Sequence, residues 1–360
     1  MSADTRRQRV TEIVQTARSK RPRMRDERIT MAHGAGGRSS QALIEGLLVP
    51  ALANERLERL DDAGTLTLGD AALAVTTDSF VVRPLRFPGG SIGELAVNGT
   101  VNDLAVSGAR ALALTLSLVL EEGLPVEQLR AEAEAIARAA AEAGVQVIAG
   151  DTKVVEHGRA DGMYVCTTGV GLVDPRAALS SDALQAGDRV LVSGPVGAHG
   201  MAIMLARGEF ELEAPIESDT TSLWPAADAL LEAAGDDLHC MRDATRGGVA
   251  SALNELARSS DVGVLLRQVE VPVEPAVAAA AELLGIDPLY VASEGRLVAF
   301  VAPGSARAAL AALRAVPGCE QAAEAGEVRD GPAGMVLVDT GFGGQRVLDL
   351  LAGDPLPRIC

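Results

Sequence analysis

The sequence has almost no lysine. Lys20 and Lys153 are the only two, and every other basic residue is arginine. A lysine that survives such a bias is a candidate for a task arginine cannot do. Lysine is a compact charge with a tunable pKa, whereas arginine is planar and always protonated. Lys20 sits in a basic leader, which leaves Lys153 as the one lysine of the folded body. Long apolar runs are missing too. No stretch reaches the ~18 residues that suggest a membrane span, so no membrane partner is expected. Positive charge is short: 32 basic against 49 acidic residues give a formal net charge of −17, which argues against a nucleic-acid partner. The four cysteines (Cys166, Cys240, Cys319, Cys360) form no C-x-x-C pair. That speaks against a zinc site or a disulfide framework and fits a reducing cytoplasm. The phosphate loop ending in Gly-Lys-Ser/Thr is absent. Arg6-Arg7 lacks the apolar region of an export signal, so the chain is expected in the cytoplasm.

What is present suffices for two domains. The chain has 360 residues, 48% hydrophobic and 22% charged, so each half can bury a core. Residues 1–28 carry nine basic and four acidic residues and read as a disordered leader, or as sequence upstream of a start near Met24 or Met31. We place a first domain at 29–173, a second at 174–340 and a mobile tail at 341–360. Leu112, Leu114, Leu116, Leu118 and Leu120 alternate, so Ala111–Leu120 reads as a strand. Further strands are expected at Ala71–Val82, Val145–Ala149, Met163–Val173, Asp188–Ser193, Gly263–Gln268, Arg296–Ala302 and Met335–Asp339. Helices are expected at Ser39–Leu52, Ser91–Ser107, Pro125–Ala143, Pro225–Ala234, Pro275–Leu284 and Ser305–Val316, and two more end near Gly208 and near Arg258. Strands and helices mix without strict βαβ regularity, which indicates an α+β fold with helices packed on mixed sheets.

Polar residues in apolar settings mark the candidate sites. His33-Gly34-Ala35-Gly36-Gly37 opens a helix, and glycine-rich backbone there is a natural anion cradle. Asp78 interrupts an apolar strand, which is costly unless it is paired or bound to a cation. Asn98 and Asn102 share a helix face beside Asp103, although such residues are poor interior helix formers. Gly150-Asp151-Thr152-Lys153 reads as the end of a strand, a usual place for active residues. Asp243 precedes Gly247-Gly248 and serves either as helix cap or as cation ligand. Glu294, between Ser293 and Gly295, is either a solvated turn or a catalytic carboxylate. Pro357-Arg358-Ile359-Cys360 puts a thiol at the tip of a stem that begins with Gly341-Phe342-Gly343-Gly344. From Gly344 the tail could span roughly 50 Å if extended, enough for a carrier arm. A frayed terminus is the plain alternative.

These motifs together resemble the HypE family of carbamoyl dehydratases in nickel–iron hydrogenase maturation. That family belongs to the aminoimidazole ribonucleotide synthetase-like ATP-binding superfamily, as does selenophosphate synthetase. The carriers are His33–Gly37, Thr77-Asp78-Ser79-Phe80, Asn98–Ala105, Gly150–Val155, Asp243–Gly248, Ser293-Glu294-Gly295 and Pro357–Cys360, the last being specific to HypE. The resemblance runs from about His33 to Cys360, and the leader departs from it.

It implies a two-domain fold of that superfamily and a homodimer with ATP near the subunit interface. HypF would load a carbamoyl group on Cys360 as a thiocarbamate. ATP would drive its dehydration to a thiocyanate, and the cyanide would pass to iron on the HypC–HypD complex. A thiocarbamate oxygen leaves poorly; phosphorylation turns it into a good leaving group, and such transfer relies on positioning and charge neutralisation. Asp78, Asp103, Asp151 and Asp243 would hold Mg²⁺ and ATP, with Thr152, and Gly34, Gly36 and Gly37 would lie over the phosphates. Glu294 would take the N–H protons. Lys153 would stabilise the transferring phosphoryl group or an anionic intermediate, and Asn102 would orient the substrate amide. The alternative is a superfamily synthetase acting on a free small molecule. It would favour a reactive cysteine near the glycine loop, and none is there.

Overall fold

The computed structural model describes residues 22–208 and 213–351, with Gly353 and Cys360. Most of the leader, residues 209–212 and Pro357, Arg358 and Ile359 lie outside these residues. No helix among the described residues is long and apolar enough to cross a membrane.

After the glycine loop come α1 (Arg38–Leu43) and α2 (Val49–Leu52), joined by a π turn at Ile44–Leu48 where one regular helix was expected. The Val49 N–H donates to the Ile44 carbonyl five residues back, and Pro50, which has no N–H, sits in the first turn of α2, where none is needed. A first sheet then forms from β1 (Gly64–Leu68) and β2 (Ala71–Phe80). A small hairpin of β3 (Arg86–Phe87) and β4 (Gly90–Ser91) leads into α3 (Ile92–Val106). Then follow β5 (Ala109–Glu121), α4 (Val126–Glu142), β6 (Gln146–Val155) and β7 (Met163–Val173). The strand order is β1-β2-β7-β5-β6. All neighbours are antiparallel except β5 and β6, which α4 connects as a crossover.

The second sheet has the order β14-β13-β10-β12-β8-β11-β9. Its elements in chain order are β8 (Arg189–Val192), α5 (Ala198–Ala206), α6 (Trp224–Ala234), β9 (Leu238–Asp243), α7 (Gly248–Ser259) and β10 (Gly263–Arg267). They continue with α8 (Pro275–Leu284), β11 (Leu297–Val301), α9 (Ala306–Arg314), β12 (Ala323–Arg329), β13 (Met335–Asp339) and β14 (Gln345–Leu348). Strands β1, β3, β4, β9, β12 and β14 are not among those expected. Residues 345–348 were assigned to a loose stem and instead pair with β13. A tight turn makes this possible: the Thr340 N–H and hydroxyl both donate to the Gly344 carbonyl, at 3.1 and 3.0 Å.

Helix α3 is the axle. Thirteen of its 15 residues are buried, so it has no solvated face and its polar residues must find partners. The first sheet packs on one side of it, and β9 and α6 pack on the other. Small residues set the approach: a Cβ on Gly99 would stand 2.7 Å from the Phe80 ring, and one on Gly169 2.8 Å from Thr100. The start of α3 is fixed by Glu132 of α4, whose buried carboxylate accepts from the Gly93 N–H at 3.1 Å and from Arg86 Nε at 2.8 Å. An acid here meets an orphan donor and the positive helix end. Glu132→Ala is expected to destabilise the protein by about 2–4 kcal/mol in urea unfolding, because the Gly93 N–H and Arg86 lose their buried acceptor. Glu132→Gln, which keeps an acceptor oxygen, should lose less.

Candidate active site

Three chain ends deliver acids to one place. Asp78 lies near the end of β2, Asp103 in the last turns of α3, and Asp243 at the end of β9. Asp62, just before β1, joins them. One oxygen each of Asp62, Asp103 and Asp243 lies within 4.8 Å of the others. Thr76 on β2 organises two of these acids. Its hydroxyl is 2.7 Å from Asp103 Oδ2 and 3.0 Å from the Asp62 carbonyl. Arg242 Nε pairs with Asp62 at 3.0 Å while its Nη2 holds Glu255 at 2.8 Å.

Crowding acids out of water penalises their charged forms. Burial first, then repulsion from Asp243, Asp78 and Asp62, pushes Asp103 well above the usual carboxylate range. Burial and Asp62 push Asp243 up to about 8, against the pull of Arg242. Burial raises Asp62 to about 6. Asp78 is raised by burial, opposed by Arg246.

The acids open onto a cavity of about 390 Å³ that is also lined by Gly34, Gly36, Gly37, Glu294 and Cys360. A groove of about 770 Å³ between α4 and β6 is larger but almost wholly apolar, so chemistry rather than volume picks the site. The glycine loop is clamped to the turn that follows β9. Arg246 Nη1 donates to the Gly34 carbonyl at 3.3 Å and Ser251 Oγ to the Gly36 carbonyl at 2.8 Å. Gly36 has φ +76°, and a Cβ there would stand 2.6 Å from the Arg246 carbonyl oxygen, so only glycine fits. His33 is buried at the cavity edge. Its Nδ1 accepts from the Thr30 N–H at 3.0 Å, and its Nε2 lies 3.2 Å from Asp26 Oδ2.

Glu294 and Cys360 meet in this cavity. Burial, then Asp243, Asp78 and Asp219, raise Glu294 well above its ordinary value. Its Oε1 is buried without a hydrogen-bond partner among the described residues. Burial pushes the Cys360 thiol up to about 12, with Arg246 as the opposing charge.

Asp151, Thr152 and Lys153 are not brought to this cavity. They were expected at a strand end, but β6 runs on to Val155 because Thr152–Val155 continue the parallel pairing with β5. Asp151 stands in register with Ser117, Cys166 and Ser79 across the sheet. Asp78, adjacent to Ser79, therefore points to the opposite face. Lys153 Nζ pairs with the exposed Asp151 at 2.6 Å, and this bond and the Thr152 N–H hold Asp151 below its ordinary value. Asn102 does not face the cavity either. Its Nδ2 donates to the Thr221 and Glu294 carbonyls at 2.9 and 3.1 Å, and its Oδ1 accepts from the Leu223 N–H at 2.7 Å. Its amide is engaged in bracing the chain, so it has no group left to orient a substrate. Asp62 was missed. The only hint in the sequence is an acid pair, Asp61-Asp62, at the entry to a strand.

The fold and the site together define an AIR synthase related protein. The model of that family's N-terminal domain matches residues 60–173, and that of its C-terminal domain residues 185–339. The chain is 48% identical to the carbamoyl dehydratase HypE of Bradyrhizobium diazoefficiens, over 92% of this chain and 96% of that protein. It is 42% identical to the Escherichia coli K12 carbamoyl dehydratase HypE, over 92% and 99%. The crystal structure of a HypE–HypF complex superposes with a TM-score of 0.82 at 41% identity, covering 86% of this chain and 100% of the other. That of HypE in complex with ATP gives 0.78 at 41%, covering 92% and 100%. The chain belongs to the HypE family of carbamoyl dehydratases.

The raised acids predict an inverted pH dependence without divalent cation. A carboxyl whose folded pKa exceeds its unfolded value contributes stability below about pH 4, and this is lost as pH rises through the folded values, about 6 for Asp62 and about 8 for Asp243. In chelator, the thermal midpoint should fall between pH 5.5 and 8.5, and Asp243→Asn should flatten that fall. Added Mg²⁺ should raise the midpoint more at pH 8 than at pH 6.

Proposed function

We propose that this chain uses ATP to dehydrate an S-carbamoyl group on Cys360 to a thiocyanate, the cyanide source for the iron of nickel–iron hydrogenase. The observation that carries the reading is the place of Cys360: its thiol lies within the carboxylate cavity, among Asp78, Asp243, Arg246 and Glu294. A free small-molecule substrate would give that placement no purpose.

The donor set fits a hard cation, since Asp62, Asp103 and Asp243 offer only oxygen and cluster closely. These three, with Asp78 beside them, would hold Mg²⁺, which when bound neutralises nucleotide phosphate charge. Gly34, Gly36 and Gly37 line the same cavity, and their backbone would cradle the phosphates. The carbamoyl oxygen on Cys360 attacks the γ-phosphorus and ADP leaves. The carbon–oxygen bond then breaks with phosphate as leaving group, and the nitrogen loses its two protons as the nitrile forms. Glu294, as the carboxylate, receives one of these protons at its unpartnered Oε1, and the departing phosphate carries away the other.

HypF supplies the carbamoyl group, and the HypC–HypD complex accepts the cyanide. The free thiols suit a reducing cytoplasm. The first sheet leaves Leu66, Leu112, Ile148 and Leu172 exposed, which a second copy would cover in a homodimer. Asp151, Thr152 and Lys153 lie on this sheet outside their own chain's cavity, and they would act on nucleotide held by the second copy.

The test is the intact mass after incubation with HypF, carbamoyl phosphate and ATP. One carbamoyl group should be gained and one water then lost, and neither change should occur in Cys360→Ala. Glu294→Gln should accumulate the carbamoyl form and slow the water loss by about 10²–10⁴-fold. No mass change with active HypF would refute the reading.

A further inference from the structure

Glu294 is gripped through its backbone from two sides. Its N–H donates to Asp219 Oδ1 at 3.0 Å, and its carbonyl accepts from Asn102 Nδ2 at 3.1 Å. Asn102 ties the same loop that carries Asp219, through Thr221 and Leu223. One turn earlier on α3, Asn98 Nδ2 donates to Thr220 Oγ1 at 3.2 Å. The loop presses against the next residue so closely that a Cβ on Gly295 would stand 1.9 Å from the Asp219 carbonyl oxygen. On the other side, Ser293 is held by its own N–H to the Ala244 carbonyl at 2.9 Å and by its hydroxyl, which accepts from the Gly197 N–H at 2.8 Å. Asp219 lies in an acid-rich stretch of the sequence that begins at Glu209. Yet its side chain is only 4% exposed, with Oδ2 3.7 Å from Arg296 Nε. It does not line the cavity. Its contact is with the Glu294 backbone, not with the reacting groups.

We propose that Asp219 is a positioning residue for the dehydration step: with Asn102 it locks the Glu294 backbone so that the carboxyl is aimed at the group on Cys360. This rests on Glu294 acting as the base. A carboxyl carried on a free turn would sample many orientations, whereas proton transfer needs hydrogen-bond reach and alignment. Asn102 supplies the anchor from the first sheet's helix and Asp219 the anchor from the second half, so the base is set by both halves at once.

The experiment is single-turnover dehydration of full-length protein preloaded by HypF, followed by intact mass, with the KM for ATP measured in parallel. Asp219→Ala should slow the loss of water by about 10²-fold, as misplacement of a reacting group does. Its carbamoyl loading and its KM for ATP should stay within about twofold of the unmodified protein. Asp219→Asn keeps an acceptor for the Glu294 N–H and should restore most of the rate. Unchanged dehydration in Asp219→Ala, with Glu294→Gln slow, would overturn the positioning role and leave the base assignment standing. A Glu294→Gln protein at full rate would overturn the base assignment itself. A KM for ATP that rises in step with the lost rate would make Asp219 an ordinary fold residue and also refute the inference. Should Asp219→Ala fail to fold, Asp219→Ser, whose shorter side chain keeps a polar group but retreats from the Glu294 N–H, is judged by the same criteria.

Discussion

Mutual repulsion among carboxylates is the constraint on which the rest of this structure depends. Asp62, Asp78, Asp103, Asp243 and Glu294 face one small cavity; burial pushes each toward its neutral form, and for all but Asp78 neighbouring carboxylates push further. Left to relax, such side chains would turn to water. They do not, because each is mounted on a part that cannot turn. Asp103 sits on a helix with no solvated face, Asp243 ends a paired strand, and Asp62 is held by Arg242. The fold thus maintains a concentration of carboxylates whose repulsion a bound cation would offset.

The cavity belongs to neither half of the chain. The first sheet and its helix contribute Asp78 and Asp103. The second sheet and its loops contribute Asp243, Arg246 and Glu294, and the glycine loop and Cys360 close it. Helix α3 makes the union rigid, since its polar face is spent on the loop at 219–223 and on the Glu294 backbone.

Much of the site was legible in the sequence because its residues break local rules. Asp78 interrupts an apolar strand, Asp103 sits in an apolar helix, and glycines cluster before a helix start. The α+β class followed from the periodicity of runs such as Leu112–Leu120. The errors share one cause, which is that local pattern does not report long-range pairing. Gly150 looks like a strand terminus, but β5 offers a full-length partner and β6 continues through Asp151 and Lys153. Asn102 looks like a ligand, and its partners lie more than a hundred residues away. Asp62 and Asp219 follow ordinary acidic stretches, and only the folded chain shows that one is in the cavity and the other is buried behind it. Strand β14 hid behind glycines that make a turn rather than a stem.

The shortage of lysine has a practical meaning. Lys153 is the one lysine among the described residues, and its side chain is 67% exposed on the face of the first sheet turned away from α3. An acylating reagent would therefore place its mark among the described residues on a single side-chain amine, while Lys20 falls in a separate proteolytic fragment. Composition has left the molecule with its own footprinting probe: the rate at which that amine is modified gauges directly whether the open sheet meets water or another protein surface.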